Sequence, residues 1–172
     1  MPRITTHNQI LSYFENLANE HTLIKGFYRF NWNEITSAIR SLPNDFVLLI
    51  ESHAGDINKD TPADAPTLSR TISALVLAPA QPDDYNKQNE IFDTSECIVL
   101  DLISRIKDDA KGLRHDSPLK WLRGFNEASV RYDVDPRVPL FQNRYGYSFI
   151  IELPAPGDLC YNNEVKARFN IS

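Results

Sequence analysis

Between Asn86 and Lys111 the chain carries Ile91, Ser95, Ile98, Leu102 and Ile106 at helical spacing, flanked by Phe92, Val99 and Ile103. Lys107 and Lys111 sit near the C-terminal end, where cations favour the helix dipole, and Gly112 suits the residue just past it. This long amphipathic helix is the spine of the core, so the rest of the chain must supply an apolar surface for it to pack on.

Two runs of strand character precede it and two follow. Phe46-Val47-Leu48-Leu49-Ile50 is continuously apolar and short, which reads as a buried strand. Thr71 to Ala78 alternates and then becomes wholly apolar, stopped by Pro79 and Pro82, and is expected to pair antiparallel with the first run. Ala128–Val134 and Tyr145–Leu153 are β-branched and aromatic and are expected to pair with each other across a Pro-bearing connection. Near the N-terminus, Ile10, Leu11, Phe14, Leu17 and Ala18 form one helical stripe with Thr6 as its cap. After the aromatic stretch Phe27–Phe30, Asn31 and Glu34 resemble a capping box opening a short helix with Ile35, Ala38 and Ile39, ended by Pro43. Leu113–Phe125 takes no assignment. The order helix, helix, strand, strand, helix, strand, strand lacks the βαβα alternation of a parallel fold. It predicts an α+β fold, an antiparallel sheet with helices packed on one face, in a single domain over 1–172.

Residues 52–67 break this regularity. They are rich in Asp, Pro, Ala and Thr, include Pro62 and Pro66, and show no apolar period, so a long exposed loop is expected. Loops of this length in compact domains are usually functional or disordered, which makes Asp56, Asp60 and Asp64 contact candidates, with a hairpin tip as the alternative.

At 172 residues, the chain fits one core better than two. A net charge of −5 gives no overall attraction for phosphate backbones, so no specific nucleic acid is expected as partner. No apolar run is long enough to span a bilayer and the N-terminal residues lack a signal-peptide pattern, so no membrane is expected and the predicted location is cytoplasmic. Cys97 and Cys160 fit neither a disulfide framework nor a zinc site, and Cys97, beside Ile98, is expected to be at least half-buried.

Motifs for chemistry are sparse. The six glycines form no phosphate loop, and the four histidines form no zinc-binding pair, so no cofactor and no metal are expected. His53 with Asp56 and His115 with Asp116 are the local imidazole–carboxylate groupings, and a catalytic dyad would need one of them beside a nucleophile in a cleft. Arg114, His115, Lys120 and Arg123 surround Trp121 in the best basic-plus-aromatic patch, which single-stranded nucleic acids use, although a core or interface anchor also accounts for Trp121. Trp121, Arg144, Tyr145 and Tyr147 belong to the residue types that dominate protein contacts and are interface candidates.

The stretch Leu140-Phe141-Gln142-Asn143-Arg144-Tyr145-Gly146-Tyr147-Ser148-Phe149, continuing to Leu153 and the later Cys160-Tyr161, resembles the closing hairpin of phage and prophage tail-terminator and head–tail completion proteins. That resemblance implies a virion assembly subunit forming a homo-oligomeric ring by head-to-tail contacts, with other tail or neck proteins as partners and a virion-associated location. The leading expectation is therefore a non-enzymatic structural protein. The alternatives are a bacterial protein-binding accessory domain and a small enzyme using His53, Asp56 or His115.

Overall fold

A computed structural model describes residues 6–30, 42–52, 54–58, 67–113, 117–134 and 143–156. In chain order these form helix α1 (His7–Glu20), strands β1 (Ile24–Phe30), β2 (Phe46–Glu51), β3 (Ala54–Asn58) and β4 (Thr67–Pro79), and helix α2 (Tyr85–Ala110). Two short 3-10 turns, Lys120–Gly124 and Glu127–Ser129, lead to β5 (Arg131–Val134) and β6 (Arg144–Pro156). The sheet order is β1-β2-β4-β6-β5, with β3 also paired to β4.

The two 13-residue strands β4 and β6 are the axis of the sheet, antiparallel from Thr67↔Pro156 to Pro79↔Arg144. Asn143, in the left-handed region at φ 63°, extends this ladder by accepting from the Ala80 amide at 2.9 Å. β2 pairs antiparallel with the second half of β4 through Val47↔Leu77 to Ile50↔Ala74, as the sequence predicts. β3 pairs with the first half through Ala54↔Thr71 to Asn58↔Thr67.

Register decides what each face carries, because successive residues in a strand point to opposite sides. Leu48, Ile50, Ile72, Ala74, Val76, Phe149 and Ile151 share one core with Ile10, Phe14 and Leu17 of α1 and Ile98, Val99, Leu102 and Ile106 of α2. Both helices thus pack on one face of a mostly antiparallel sheet, and the fold is α+β. The opposite face of β2 and β4 is buried as well, with Val47, Leu49, Leu75 and Leu77 clustered with Phe30 and Leu42. Burial on both faces explains why Phe46–Ile50 and Ala74–Ala78 are continuous apolar runs rather than alternating ones.

Helix ends follow local chemistry. Thr6 and Gln9 form a reciprocal capping box, with the Gln9 amide donating to Thr6 Oγ1 and the Thr6 amide to Gln9 Oε1. Asp84 caps α2 by accepting from the Lys87 amide at 2.9 Å. Buried Gln88 ties the entry to α2 by donating to the Gln81 and Pro82 carbonyls. Gly112 at φ +63° follows the last turn, where a residue with a Cβ would be strained. Ile91, Ile98, Val99, Leu102 and Ile106 are all at most 2% exposed. Their burial contributes on the order of 10 kcal/mol before chain entropy is charged against it. Ser95, fully buried, donates to the Phe92 carbonyl and so satisfies its hydroxyl within the helix.

Three local findings extend or revise the sequence reading. The aromatic stretch before Asn31 is a strand, β1, and it runs parallel to β2, with Phe27↔Leu48 and Arg29↔Ile50 in register. Within the stretch read as a loop, Ala54–Asn58 is strand β3, while Asp60 and Asp64 lie outside the described residues. The expected strand from Ala128 begins only at Arg131, because Asn126 caps a 3-10 turn over Glu127–Ser129 by accepting from the Ala128 amide. The short helix expected from Asn31 to Ile39 falls outside the described residues.

Candidate functional site

Among the described residues, three of the six exposed large hydrophobic side chains lie where β5 ends the sheet. β5 pairs with β6 from Arg131↔Ile150 to Val134↔Tyr147, and all four of its residues are exposed. Alternation puts Tyr132 and Val134 on the helix face and Arg131 and Asp133 on the other. Tyr132, Val134 and Ile150 are 43%, 37% and 37% exposed, a set of apolar groups held in water.

An aromatic ladder connects this edge to the interior. Tyr145 is buried with Ala78 and Ile91. Phe92, from α2, stands edge-on to Tyr145 at 6.1 Å and to Tyr147 at 6.5 Å, and Tyr147 tilts against Tyr132 at 6.1 Å. Such edge-on pairs, with ring centroids within 7 Å, add stabilisation beyond their buried area. The ladder fixes the exposed Tyr132 ring on a rigid support. Carboxylates lie on the neighbouring segments: Asp93 and Glu96 follow Phe92 on α2, and Asp133 stands between Tyr132 and Val134 on β5 with its side chain on the opposite face. The Tyr147 hydroxyl is pushed up from its ordinary range, first by burial and then by Glu96, Asp133, Tyr132 and Asp93. An aromatic surface rimmed with carboxylates is suited to receive cationic and apolar side chains rather than anions.

The residues singled out from the sequence separate on this frame. Tyr147 belongs to the ladder, half-exposed. Tyr145 is 8% exposed and is a core residue, so its role is to support the ladder. Arg144 is 4% exposed and points to the opposite face, where its Nη2 donates to the Leu42 and Pro43 carbonyls at 3.0 and 2.8 Å. It therefore ties β6 to the segment leading into β2 and is not a surface contact in this chain. Trp121 is half-buried in the Lys120–Gly124 turn, its ring edge-on to Tyr13 at 5.3 Å and packed on the main core. The nearby Arg123 donates to the Leu113 carbonyl, so it secures the turn. Cys97, expected to be at least half-buried, is exposed. One residue of helix is 100° of rotation, and Cys97 is turned off the Ile98 stripe. Asp56 lies in β3 opposite Ser69. His53, Asp60, Asp64, Arg114, His115, Asp116 and Cys160 fall outside the described residues.

Other groupings carry less. The tertiary structure brings His21 and Asp101 to 3.4 Å, with His21 Nδ1 accepting from the Leu23 amide, so neutral His21 donates from Nε2 to Asp101. Asp101 is 70% exposed, and the pair staples the end of α1 to α2. A shallow hollow of about 180 Å³ lies among Asp45, Phe46, Pro79, Lys87, Glu90 and Thr94, and Lys87 pairs with Glu90 across 3.0 Å. Among the described residues, no three His, Cys, Asp or Glu gather as a metal site, and no helix is long and apolar enough to cross a membrane.

Sequence reasoning missed Phe92, Tyr132, Asp93, Glu96 and Asp133 as a group. The only available signal was that Tyr132 and Tyr147 sit in two runs expected to pair. No protein-family model matches the chain, and no curated protein matches it either.

Proposed function

We propose that this protein is a non-enzymatic assembly subunit that joins copies of itself into a closed ring, in the manner of a phage or prophage tail-terminator protein. One observation carries the reading: among the described residues the sheet ends in β5, all four of whose residues are exposed, beside an aromatic ladder with exposed apolar side chains. An open strand edge presents unpaired backbone donors and acceptors and is a ready template for another chain. Head-to-tail contacts between identical chains close into rings where the rotation permits. The resemblance of Leu140–Phe149 to the closing hairpin of tail-terminator proteins supports the specific setting. A net charge of −5 suits a ring whose lumen passes DNA without adhesion.

Light scattering coupled to size exclusion, followed by negative-stain electron microscopy, tests this. Closed rings of uniform size are expected. A strict monomer at the highest soluble concentration overturns the proposal.

A further inference from the structure

Building on the assembly reading, we infer that the ring contact is formed by the β5 edge of one copy against the β1 edge of the next, an oppositely charged end of the same sheet. Among the described residues β1 and β5 are the two ends of the strand order. At the β5 end Asp93 and Glu96 follow Phe92 on α2, whose ring joins the ladder, and Asp133 lies on β5 itself, on the opposite face together with Arg131. At the β1 end Lys25 and Arg29 are exposed, with half-buried Glu51 opposite Phe30 on the neighbouring strand. Leu23, just before β1, is 47% exposed and offers an apolar counterpart to Tyr132 and Val134.

Strand direction supports the same pairing. β5 is antiparallel to β6, β6 to β4 and β4 to β2, while β1 is parallel to β2, so β5 and β1 run in opposite directions within one chain. If neighbouring copies keep their strands aligned, β5 of one meets β1 of the next as an antiparallel pair, the arrangement with the better-placed hydrogen bonds. Edge-to-edge joining also keeps the faces in line. Arg29 shares the helix face with Phe27 through its register with Ile50, and Tyr132 lies on the helix face of the next copy. The antiparallel order brings the Lys25 end of β1 toward Asp133 and Val134 and sets Arg29 toward the Tyr132 ring, where a guanidinium is attracted to the aromatic face. Only four residues of β5 extend the ladder, so the side-chain contacts of Leu23, Tyr132 and Val134 must contribute much of the specificity.

Charge exchange tests this with folded variants, because every substituted side chain is exposed or part-exposed. The double variants Lys25→Glu/Arg29→Glu and Glu96→Lys/Asp133→Lys are each expected to weaken association about tenfold or more, by turning attraction into repulsion. The four substitutions combined in one chain exchange the two ends and are expected to restore assembly. Thermal melts at or near wild type establish that each variant is folded. A wild-type oligomer unchanged by both doubles overturns the edge contact and leaves the assembly reading standing. So does loss in one double only, which makes the partner of that edge something other than the opposite end of the sheet. Failure of the fourfold variant to regain assembly also overturns it, whereas a monomeric wild type removes the assembly reading itself.

Discussion

Gly146 offers the sharpest test of the central ladder. It sits opposite Leu77 in the β4–β6 pair with φ +153°, and a Cβ built there would lie 2.0 Å from the Val76 carbonyl oxygen, 3.1 Å from its carbon and 3.2 Å from Leu77 Cα. All three are backbone atoms of a central strand, so no rotamer change relieves the clash. The two strands would have to separate by about 1 Å, enough to break ladder hydrogen bonds whose ordinary length is about 2.9 Å. Overpacking of this kind costs about 1–3 kcal/mol, and two weakened ladder bonds add about 1 kcal/mol each. Gly146→Ala is therefore expected to lose about 3–5 kcal/mol, a large part of the ~5–15 kcal/mol that holds a domain together. For a chain of this size that is a drop in Tm of roughly 10 °C or more. Gly112→Ala is the graded control: φ is +63° but nothing lies within 4 Å, so only backbone strain of about 1–2 kcal/mol is expected. Gly55→Ala, with nothing within 4 Å and no such φ, should cost almost nothing. Urea denaturation of the three variants gives the order directly. A Gly146→Ala loss below 1 kcal/mol, or one no larger than that of Gly112→Ala, refutes the close approach of β6 to β4.

Phe149 is fully buried between the sheet and the helices, and Phe149→Ala should cost about 3–5 kcal/mol, read as a lower urea midpoint at unchanged slope. Arg144→Met keeps the apolar stem but leaves the Leu42 and Pro43 carbonyls without their donor, for an expected loss of about 2 kcal/mol by the same measurement. Tyr13 donates to Asp109 at 2.9 Å, and burial first, then that carboxylate, pushes its ionisation far above the ordinary tyrosine range. Because the folded value is raised, its stabilisation is complete below about pH 10, where an unfolded tyrosine starts to ionise, and is lost as pH climbs above that. Urea midpoints from pH 8 to pH 11.5 should fall for the wild type and fall less for Tyr13→Phe. Equal slopes for the two refute this assignment.

The single sequence determined the parts whose causes are local. The stripe of Ile91, Ile98, Leu102 and Ile106, the Thr6 cap, the Gly112 stop and the apolar run Phe46–Ile50 all appear in the structure within one or two residues, because periodicity and capping act within a few neighbours. The order of those elements was enough for the α+β class. Strand β1 escaped because Lys25, Gly26 and Arg29 interrupt any apolar pattern, and its partner is 22 residues away in register at Ile24↔Phe46. β3 escaped because its composition is that of a turn; only its ladder with β4 makes it a strand. The same limit applied to the surface. Residue type made Arg144, Tyr145 and Tyr147 look equivalent, yet one ties β6 to the segment before β2, one fills the core and one reaches the edge. Alternation alone states which residues share a face. Whether that face meets a helix or water, and whether its strand is central or last, depends on pairings between distant segments, and those only the folded chain decided.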